Sequence, residues 1–146
     1  MSPAAQTRRR RRFYLDTSAY LCILLAEEGS ARLAAETARA ELLSSVLLVL
    51  EARRNLVRLA RESALDADQY EACMARVTGD IDRFVLRDLT LDLCTSSQMP
   101  AISTPRSLDL VHLRSATWFH TETPIDRFVT VDTAQAQAAR ELGLPV

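Results

Sequence analysis

Short apolar runs alternate along the chain with longer stretches in which apolar residues recur at helical spacing. The runs are rich in aromatic, branched and leucine residues and have no regular polar alternation, which is typical of strands buried on both faces. The predicted strands are Arg12–Asp16, Leu42–Ser45, Phe84–Leu86 and Phe128–Val131. The predicted helices are Ala19–Ala26, Ala31–Glu41, Val46–Glu62, Ala67–Val77, Leu91–Ser97, Leu108–Phe119 and Thr133–Leu142. Strands separated by helices predict an α/β fold whose parallel sheet is covered on both faces.

Capping residues set the expected ends of these helices. Thr17 or Ser18 can cap the first helix, and Ser107 can cap the helix in which Leu108, Val111, Leu113 and Ala116 are expected to face inward. Gly79 is expected to interrupt the fourth helix, and Gly143 to end the last one. The segment Met99–Arg106 holds two prolines and is predicted to be a loop.

Length and charge distribution add an expected division of the chain. A chain of 146 residues suits one domain, so we expect a domain over residues 13–146 after an Arg-rich, flexible arm over residues 1–12. Five of the 18 basic residues form the run Arg8–Arg12, which leaves 13 basic against 19 acidic residues elsewhere. The run could neutralise nucleic-acid phosphates, or it could be a solvated tail. Without a secretory signal or an apolar stretch of about 20 residues, we expect a cytoplasmic protein that does not contact membrane.

Four carboxylates occupy positions where a parallel sheet binds ligands, beyond the carboxyl ends of its strands. Asp16 and Asp132 end two predicted strands, Asp109 opens a helix, and Glu51 lies one turn into another. Each could instead cap a helix or interact favourably with the positive end of the helix dipole. If they converge, their repulsion calls for a divalent cation, and oxygen-only ligation favours Mg²⁺ or Mn²⁺ over Zn²⁺. Such a site suits phosphodiester hydrolysis.

Four segments resemble the consecutive motifs of PIN-domain ribonucleases, most closely the VapC-type toxins of type II toxin–antitoxin systems. They are FYLDTSAYLCILLAEEGS, SSVLLVLEARRNLVR, SLDLVHLRSATWF and FVTVDTAQAQAARELGLPV, and together they span Phe13–Val146. The resemblance implies a three-layer α/β/α fold with a central parallel sheet of four to five strands. It also implies Mg²⁺- or Mn²⁺-dependent RNA cleavage, a homodimer, and inhibition by a small VapB-like antitoxin.

The same resemblance assigns roles to individual residues. The expected catalytic and metal-binding acids are Asp16, Glu51, Asp109 and Asp132. Expected supporting residues are Ser18 and Thr130 beside the acids and His112 in the Asp-x-x-His pattern, with capping, strand-end or packing roles left open. Gln135 stands where some relatives carry another ligand, so one or two metal ions are possible.

Two other readings compete with a nuclease. Haloacid-dehalogenase-like phosphatases also place an Asp after the first strand, but they need a second acid where this chain has Ser18, and a lysine, which this chain lacks. A catalytically inactive PIN-like module that binds RNA or protein is the stronger alternative. The presence of all four acids favours the enzyme.

Overall fold

A four-stranded, all-parallel sheet forms the centre of the protein in a computed structural model, which describes residues 8–95, 102–103 and 106–146. Its strands are β1 (Arg12–Leu15), β2 (Glu41–Ser45), β3 (Phe84–Arg87) and β4 (Arg127–Val129), in the order β3-β2-β1-β4. Helices flank this sheet, consistent with three layers. The predicted α/β/α fold and its parallel sheet of four to five strands are confirmed.

Seven helices connect or follow the strands in the described residues. They are α1 (Thr17–Leu24), α2 (Ser30–Thr37), α3 (Leu47–Arg61), α4 (Ala67–Asp80), α5 (Leu91–Thr95), α6 (Ser107–Glu122) and α7 (Thr133–Glu141). A short 3₁₀ turn precedes β3. None of the helices in the described ranges is long and apolar enough to cross a bilayer.

Alternation along the strands divides the core between the two faces of the sheet, because successive strand side chains point to opposite sides. Tyr14, Leu43 and Phe128 join buried residues of α6 and α7 in one cluster. Phe13 and Leu15 join buried residues of α1 and α2 in a second cluster. A third cluster packs α3 and α4 against α1. Strands β1, β2 and β4 are buried on both faces, whereas the edge strand β3 is only partly buried, with Val85 48% exposed.

The helix ends differ from the predicted ones at several positions. Asp16, not Thr17 or Ser18, caps α1 by accepting the amide of Ala19 at 3.0 Å. Gly79 does not interrupt α4, which continues to Asp80 after a capping box formed by Asp66 and Gln69. A glycine lowers helix stability by only about 1 kcal/mol, which the packing of a helix can offset.

Further differences concern α6 and β4. The side chain of Ser107 does not cap α6, and Leu108 is 49% exposed instead of facing inward, whereas Leu113 and Ala116 are buried as predicted. Strand β4 ends at Val129, two residues earlier than expected. Gly143 follows α7 with φ +78°, as its predicted role requires. Most of the predicted Met99–Arg106 loop lies outside the described residues.

The described part of the Arg run lies at the amino end of the sheet. Arg12 begins β1, Arg9 pairs with Asp126 at 3.1 Å, and Arg10 donates to the carbonyl of Arg39 at 3.4 Å. The candidate acids follow the carboxyl ends of the strands, so these arginines are at the opposite edge. Residues 1–7 lie outside the described residues, and the division of the chain at residue 12 stays a prediction.

Candidate functional site

Asp16 is a buried carboxylate at the carboxyl end of the inner strand β1. It is 4% exposed and caps α1 through its Oδ1 atom. Ser18 donates to the same oxygen at 2.7 Å, and Thr130, just after β4, donates to Oδ2 at 2.6 Å. The two residues predicted to support the acids therefore both contact Asp16.

The two hydroxyls connect Asp16 to the turn between β4 and α7. The amide of Val131 donates to Ser18 Oγ and the amide of Asp132 donates to Thr130 Oγ1, both at 3.1 Å. Each hydroxyl has a single proton, which it directs to Asp16 while its oxygen accepts the amide. This arrangement uses every proton if Asp16 is ionised, and it fixes the start of α7 relative to β1.

Burial nevertheless makes the negative charge of Asp16 unfavourable. Desolvation raises the pKa of Asp16 above its ordinary value, and the hydrogen bonds from Thr130, Ser18 and the amide of Ala19 offset this increase only in part. A nearby cation would stabilise the ionised form.

Glu51 is the second carboxylate held in place by hydrogen bonds. It lies in α3, with its side chain 19% exposed, and its Oε1 atom accepts from Thr17 Oγ1 at 2.7 Å and contacts His112 Nε2 at 2.9 Å. Desolvation tends to raise the pKa of Glu51, but the interactions with His112 and Thr17 outweigh it, so the pKa lies below its ordinary value. The pKa of Glu51 is therefore lowered by its surroundings, whereas the pKa of Asp16 is raised.

His112 joins the two helical layers at this edge of the sheet. It is 2% exposed in α6, and its Nδ1 atom lies 2.8 Å from the hydroxyl of Tyr14 in β1. Its Nε2 atom lies 3.0 Å from Thr17 Oγ1, in addition to the contact with Glu51. The sequence left a packing role open for His112, and the structure shows a buried, hydrogen-bonded histidine. One of its partners is the candidate acid Glu51.

Asp132 and Asp109 are connected through Gln135. Asp132 is exposed and caps α7, where its Oδ1 atom accepts from the amides of Ala134 and Gln135 at 2.9 and 3.2 Å. The side-chain amide of Gln135 donates to the backbone carbonyl of Asp109 in the first turn of α6 at 3.0 Å. Gln135 is 1% exposed, and its Oε1 atom has no hydrogen-bond partner among the described residues.

The four predicted acids thus belong to elements that meet at one edge of the sheet. Asp16, Glu51 and Asp132 form no ion pairs with arginine in the described ranges. Within those same ranges, no three or more Asp, Glu, His or Cys side chains are grouped so that they could hold a metal ion. The structure brings the acid-bearing segments together without bringing their side chains around one point.

The residues fit Mg²⁺ or Mn²⁺ in donor chemistry, but not in their present arrangement. Carboxylate oxygens are the ligands that these cations prefer. Within the described residues, the hydrogen bonds of Glu51 and Asp132 engage one oxygen each, which leaves Oε2 and Oδ2 for a ligand. Both oxygens of Asp16 already accept hydrogen bonds. A bound ion would need the carboxylates to turn toward it.

Three residues of this site were not assigned to it from the sequence. Tyr14 was predicted only as part of an apolar strand, Thr17 only as a helix cap, and Gln135 only as a departure from the family pattern. The one available signal was a phenolic hydroxyl in a strand buried on both faces, since such a group needs a partner.

No family model matches this chain, and no match is found among curated proteins.

Proposed function

We propose that the protein is a metal-dependent endoribonuclease in which Asp16 is the principal acid. The observation that carries this proposal is the burial of the Asp16 carboxylate at the carboxyl end of a central parallel strand, without an arginine partner among the described residues. A buried charge is costly unless it is paired or binds a cation. Because burial raises the pKa of Asp16, the site gains most from a ligand that is positive.

The remaining acids supply the other expected ligands. Asp16, Glu51, Asp109 and Asp132 would hold Mg²⁺ or Mn²⁺, which when bound stabilises charge on a phosphate and activates water. The protein's own contribution is to orient these carboxylates through Ser18, Thr130 and His112, and to keep the Asp16 end of the site dry. RNA is the proposed substrate on the strength of the resemblance of the four motifs.

A second candidate function is a PIN-like module that binds RNA or protein without cleaving it. It is favoured by the absence, within the described residues, of three side chains grouped to hold a metal. The two candidates differ in one measurable property: only the nuclease converts RNA to shorter products in a way that depends on both Mg²⁺ and Asp16.

The decisive experiment incubates the purified full chain with a labelled single-stranded RNA in Mg²⁺, in Mn²⁺ and in EDTA. The same assay is run on Asp16→Asn and on Glu62→Gln, which removes an exposed carboxylate of a surface ion pair and serves as the control. We expect cleavage by the parent and by Glu62→Gln with either metal, and none by Asp16→Asn or in EDTA.

Two outcomes would contradict the nuclease. Equal cleavage by Asp16→Asn would mean that the activity belongs to another site or to a contaminant. Retarded migration of intact RNA, unchanged by Mg²⁺ and by Asp16→Asn, would support the binding module instead.

The proposed biological setting is a toxin restrained by a small VapB-like antitoxin, with the toxin itself a homodimer. Apolar side chains on the surface supply area that partners could cover: Leu50 is 67% exposed in α3 and Leu91 is 79% exposed in α5. Expression of the parent should arrest growth, and Asp16→Asn should relieve the arrest. Light scattering of the purified chain measures the dimer, and a monomer at micromolar concentration would contradict that part.

A further inference from the structure

We propose that Tyr14 and His112 form a positioning relay that orients Glu51, so that one carboxylate oxygen is held by the protein and the other is left for the ligand. The proposal rests on the proposed function for its catalytic consequence. Neither Tyr14 nor His112 is placed in contact with substrate, so both are positioning residues. The relay runs from β1 through α6 to α3 and joins both helical layers.

The first step is the position of the proton on His112. Its Nε2 atom lies 2.9 Å from Glu51 Oε1, an acceptor with no proton to give when ionised. The single proton of Thr17 is also directed to that oxygen, at 2.7 Å, so Thr17 cannot donate it to Nε2, which is 3.0 Å away. An unprotonated Nε2 would place its lone pair against these oxygens. Nε2 therefore carries a proton.

The second step concerns the opposite side of the ring. In a neutral imidazole with its proton on Nε2, Nδ1 is an acceptor, and the Tyr14 hydroxyl, 2.8 Å away, is its donor. Each group in the series then has the partner it needs: Tyr14 donates to Nδ1, and Nε2 donates to Glu51. Glu51 and Thr17 set this tautomer at Nε2, and Tyr14 matches it at Nδ1 by donating, since a phenolic hydroxyl can donate or accept.

The third step is the rigidity of the anchor. Tyr14 is fully buried, and its ring stacks on Phe128 at 5.4 Å between centroids with an interplanar angle of 6°. The His112 ring meets Tyr14 edge-on, at 5.9 Å and 76°. The phenolic oxygen is therefore fixed by the core of the protein, and this fixed point sets the plane of the imidazole and through it the rotamer of Glu51.

The consequence for Glu51 is a division between its two oxygens. Oε1 accepts hydrogen bonds from Thr17 and His112, whereas Oε2 accepts none from the described part of the chain. Loss of the Tyr14 hydroxyl would leave the buried Nδ1 atom without its donor and hold the His112 ring, and with it Glu51, less firmly, with no change in charge.

Tyr14→Phe tests the relay because it removes one oxygen and keeps the stacked ring. The matched control is Tyr20→Phe, which removes another buried phenol that donates to a carboxylate, Asp80 at 2.9 Å, away from the site. The first measurement is long-range ¹H–¹⁵N NMR of His112 in metal-free protein. We expect the Nε2-protonated tautomer in the parent and in Tyr20→Phe. In Tyr14→Phe, the Nδ1 signal should move toward that of a nitrogen with no hydrogen bond.

The second measurement is RNA cleavage and Mn²⁺ affinity. Loss of this hydrogen bond should decrease kcat roughly two- to tenfold, and KM should not change because neither residue contacts RNA. Mn²⁺ affinity, measured by EPR, should fall by a similar factor in Tyr14→Phe and stay at the parent value in Tyr20→Phe.

The outcomes separate the relay from the proposed function. If the parent does not cleave RNA, the proposed function fails, while the NMR signature and the Mn²⁺ affinities still decide the relay. A His112 with its proton on Nδ1 alone, or protonated on both nitrogens, would overturn the relay. So would cleavage by Tyr14→Phe with the parent's kcat, or equal losses in Tyr14→Phe and Tyr20→Phe.

Discussion

Replacing Asp16 and Glu51 by their amides should change the stability of the metal-free protein in opposite directions at neutral pH. The two substitutions are chemically alike, since each exchanges a carboxylate oxygen for an NH₂ group of similar size. Their surroundings differ: burial raises the pKa of Asp16, whereas the interactions with His112 and Thr17 lower the pKa of Glu51.

The sign for Asp16 follows from proton linkage. As pH rises, the unfolded chain releases the Asp16 proton near pH 3.8, while the folded chain holds it to a higher pH. The folded state then binds more protons than the unfolded state, so stability falls as pH rises through this window. At pH 7 the parent is therefore less stable than it would be without this titration, and Asp16→Asn, which has no proton to release, removes that cost. The NH₂ group of Asn cannot accept the Thr130 proton, but this proton can turn to Ser18 Oγ, 3.1 Å away. The variant should therefore be more stable than the parent at pH 7 and should lose this advantage below about pH 3.8.

The sign for Glu51 is the reverse. Its lowered pKa contributes stability that is present above the ordinary value of 4.5 and is lost as pH falls through the pKa of the folded state. Glu51→Gln keeps an oxygen for Thr17 and His112 but turns two charge-assisted hydrogen bonds into neutral ones. At about 1 kcal/mol for each bond, the loss is roughly 2 kcal/mol. For a chain of this size we expect a decrease in Tm of about 4–8 °C.

Urea unfolding in EDTA at pH 7 and at pH 4 measures both effects. Glu62→Gln is the control, because the carboxylate of Glu62 is 56% exposed in an i,i+4 pair and should change the free energy of unfolding by less than about 0.5 kcal/mol. Equal destabilisation by Asp16→Asn and Glu51→Gln at pH 7 would refute the reasoning, because it would mean that both carboxylates are stabilised by their surroundings.

Four further outcomes follow from the same structure. Mg²⁺ at about 100 times its Kd should raise the parent's free energy of unfolding by about 2.7 kcal/mol and leave Asp16→Asn unchanged, as measured by urea titration. Leu113→Ala removes a fully buried core side chain and should cost about 2–5 kcal/mol in the same assay. Gly143→Ala places a side chain at φ +78° and should cost about 1–2 kcal/mol by thermal unfolding. Arg9→Ala breaks an exposed pair with Asp126 and should cost less than about 1 kcal/mol, with no difference from the parent in 1 M NaCl. A measured change in the free energy of unfolding outside its predicted range would contradict the contribution assigned here to that contact.

The sheet could be predicted from the sequence because each of its strands is marked by residues that are adjacent along the chain. Each strand is a short apolar run that ends at polar residues, and β1 and β2 were placed within one residue of their observed ends. Parallel order followed from the helices between the strands, since a parallel connection needs a crossover. Strand β4 was predicted too long because Thr130 and Val131 have strand-forming side chains, although their backbone already turns toward α7.

Helix ends were less predictable because neighbouring residues offer competing caps. Asp16, Thr17 and Ser18 are all good capping residues, and the backbone at the end of β1 decides among them. Because Asp16 caps the helix, the hydroxyls of Thr17 and Ser18 are available for other partners. Thr17 donates to Glu51, and Ser18 donates to Asp16. The choice of cap therefore determines which side chains reach the site.

The contacts within the site depend on residues far apart along the chain, which no local pattern encodes. Tyr14 and His112 are separated by 98 positions, and Thr130 and Asp16 by 114. The sequence placed the acids near strand ends and helix starts and left open that each could cap a helix, as Asp132 caps α7, but it did not predict the contact between His112 and Glu51. These pairings depend on the register of β1 against its neighbours and on the rotation of α6 about its axis.

The opposite shifts of Asp16 and Glu51 bear on how the proposed site would bind a cation. A cation gains most where negative charge is least compensated, and that place is Asp16, because its hydrogen bonds only partly offset its burial. The charge of Glu51 is already stabilised by Thr17 and His112, so it attracts the cation less strongly. The contribution of Glu51 would be a carboxylate oxygen held in a fixed orientation. Asp16 would then provide the driving force for binding, and the relay through Tyr14 would provide the geometry.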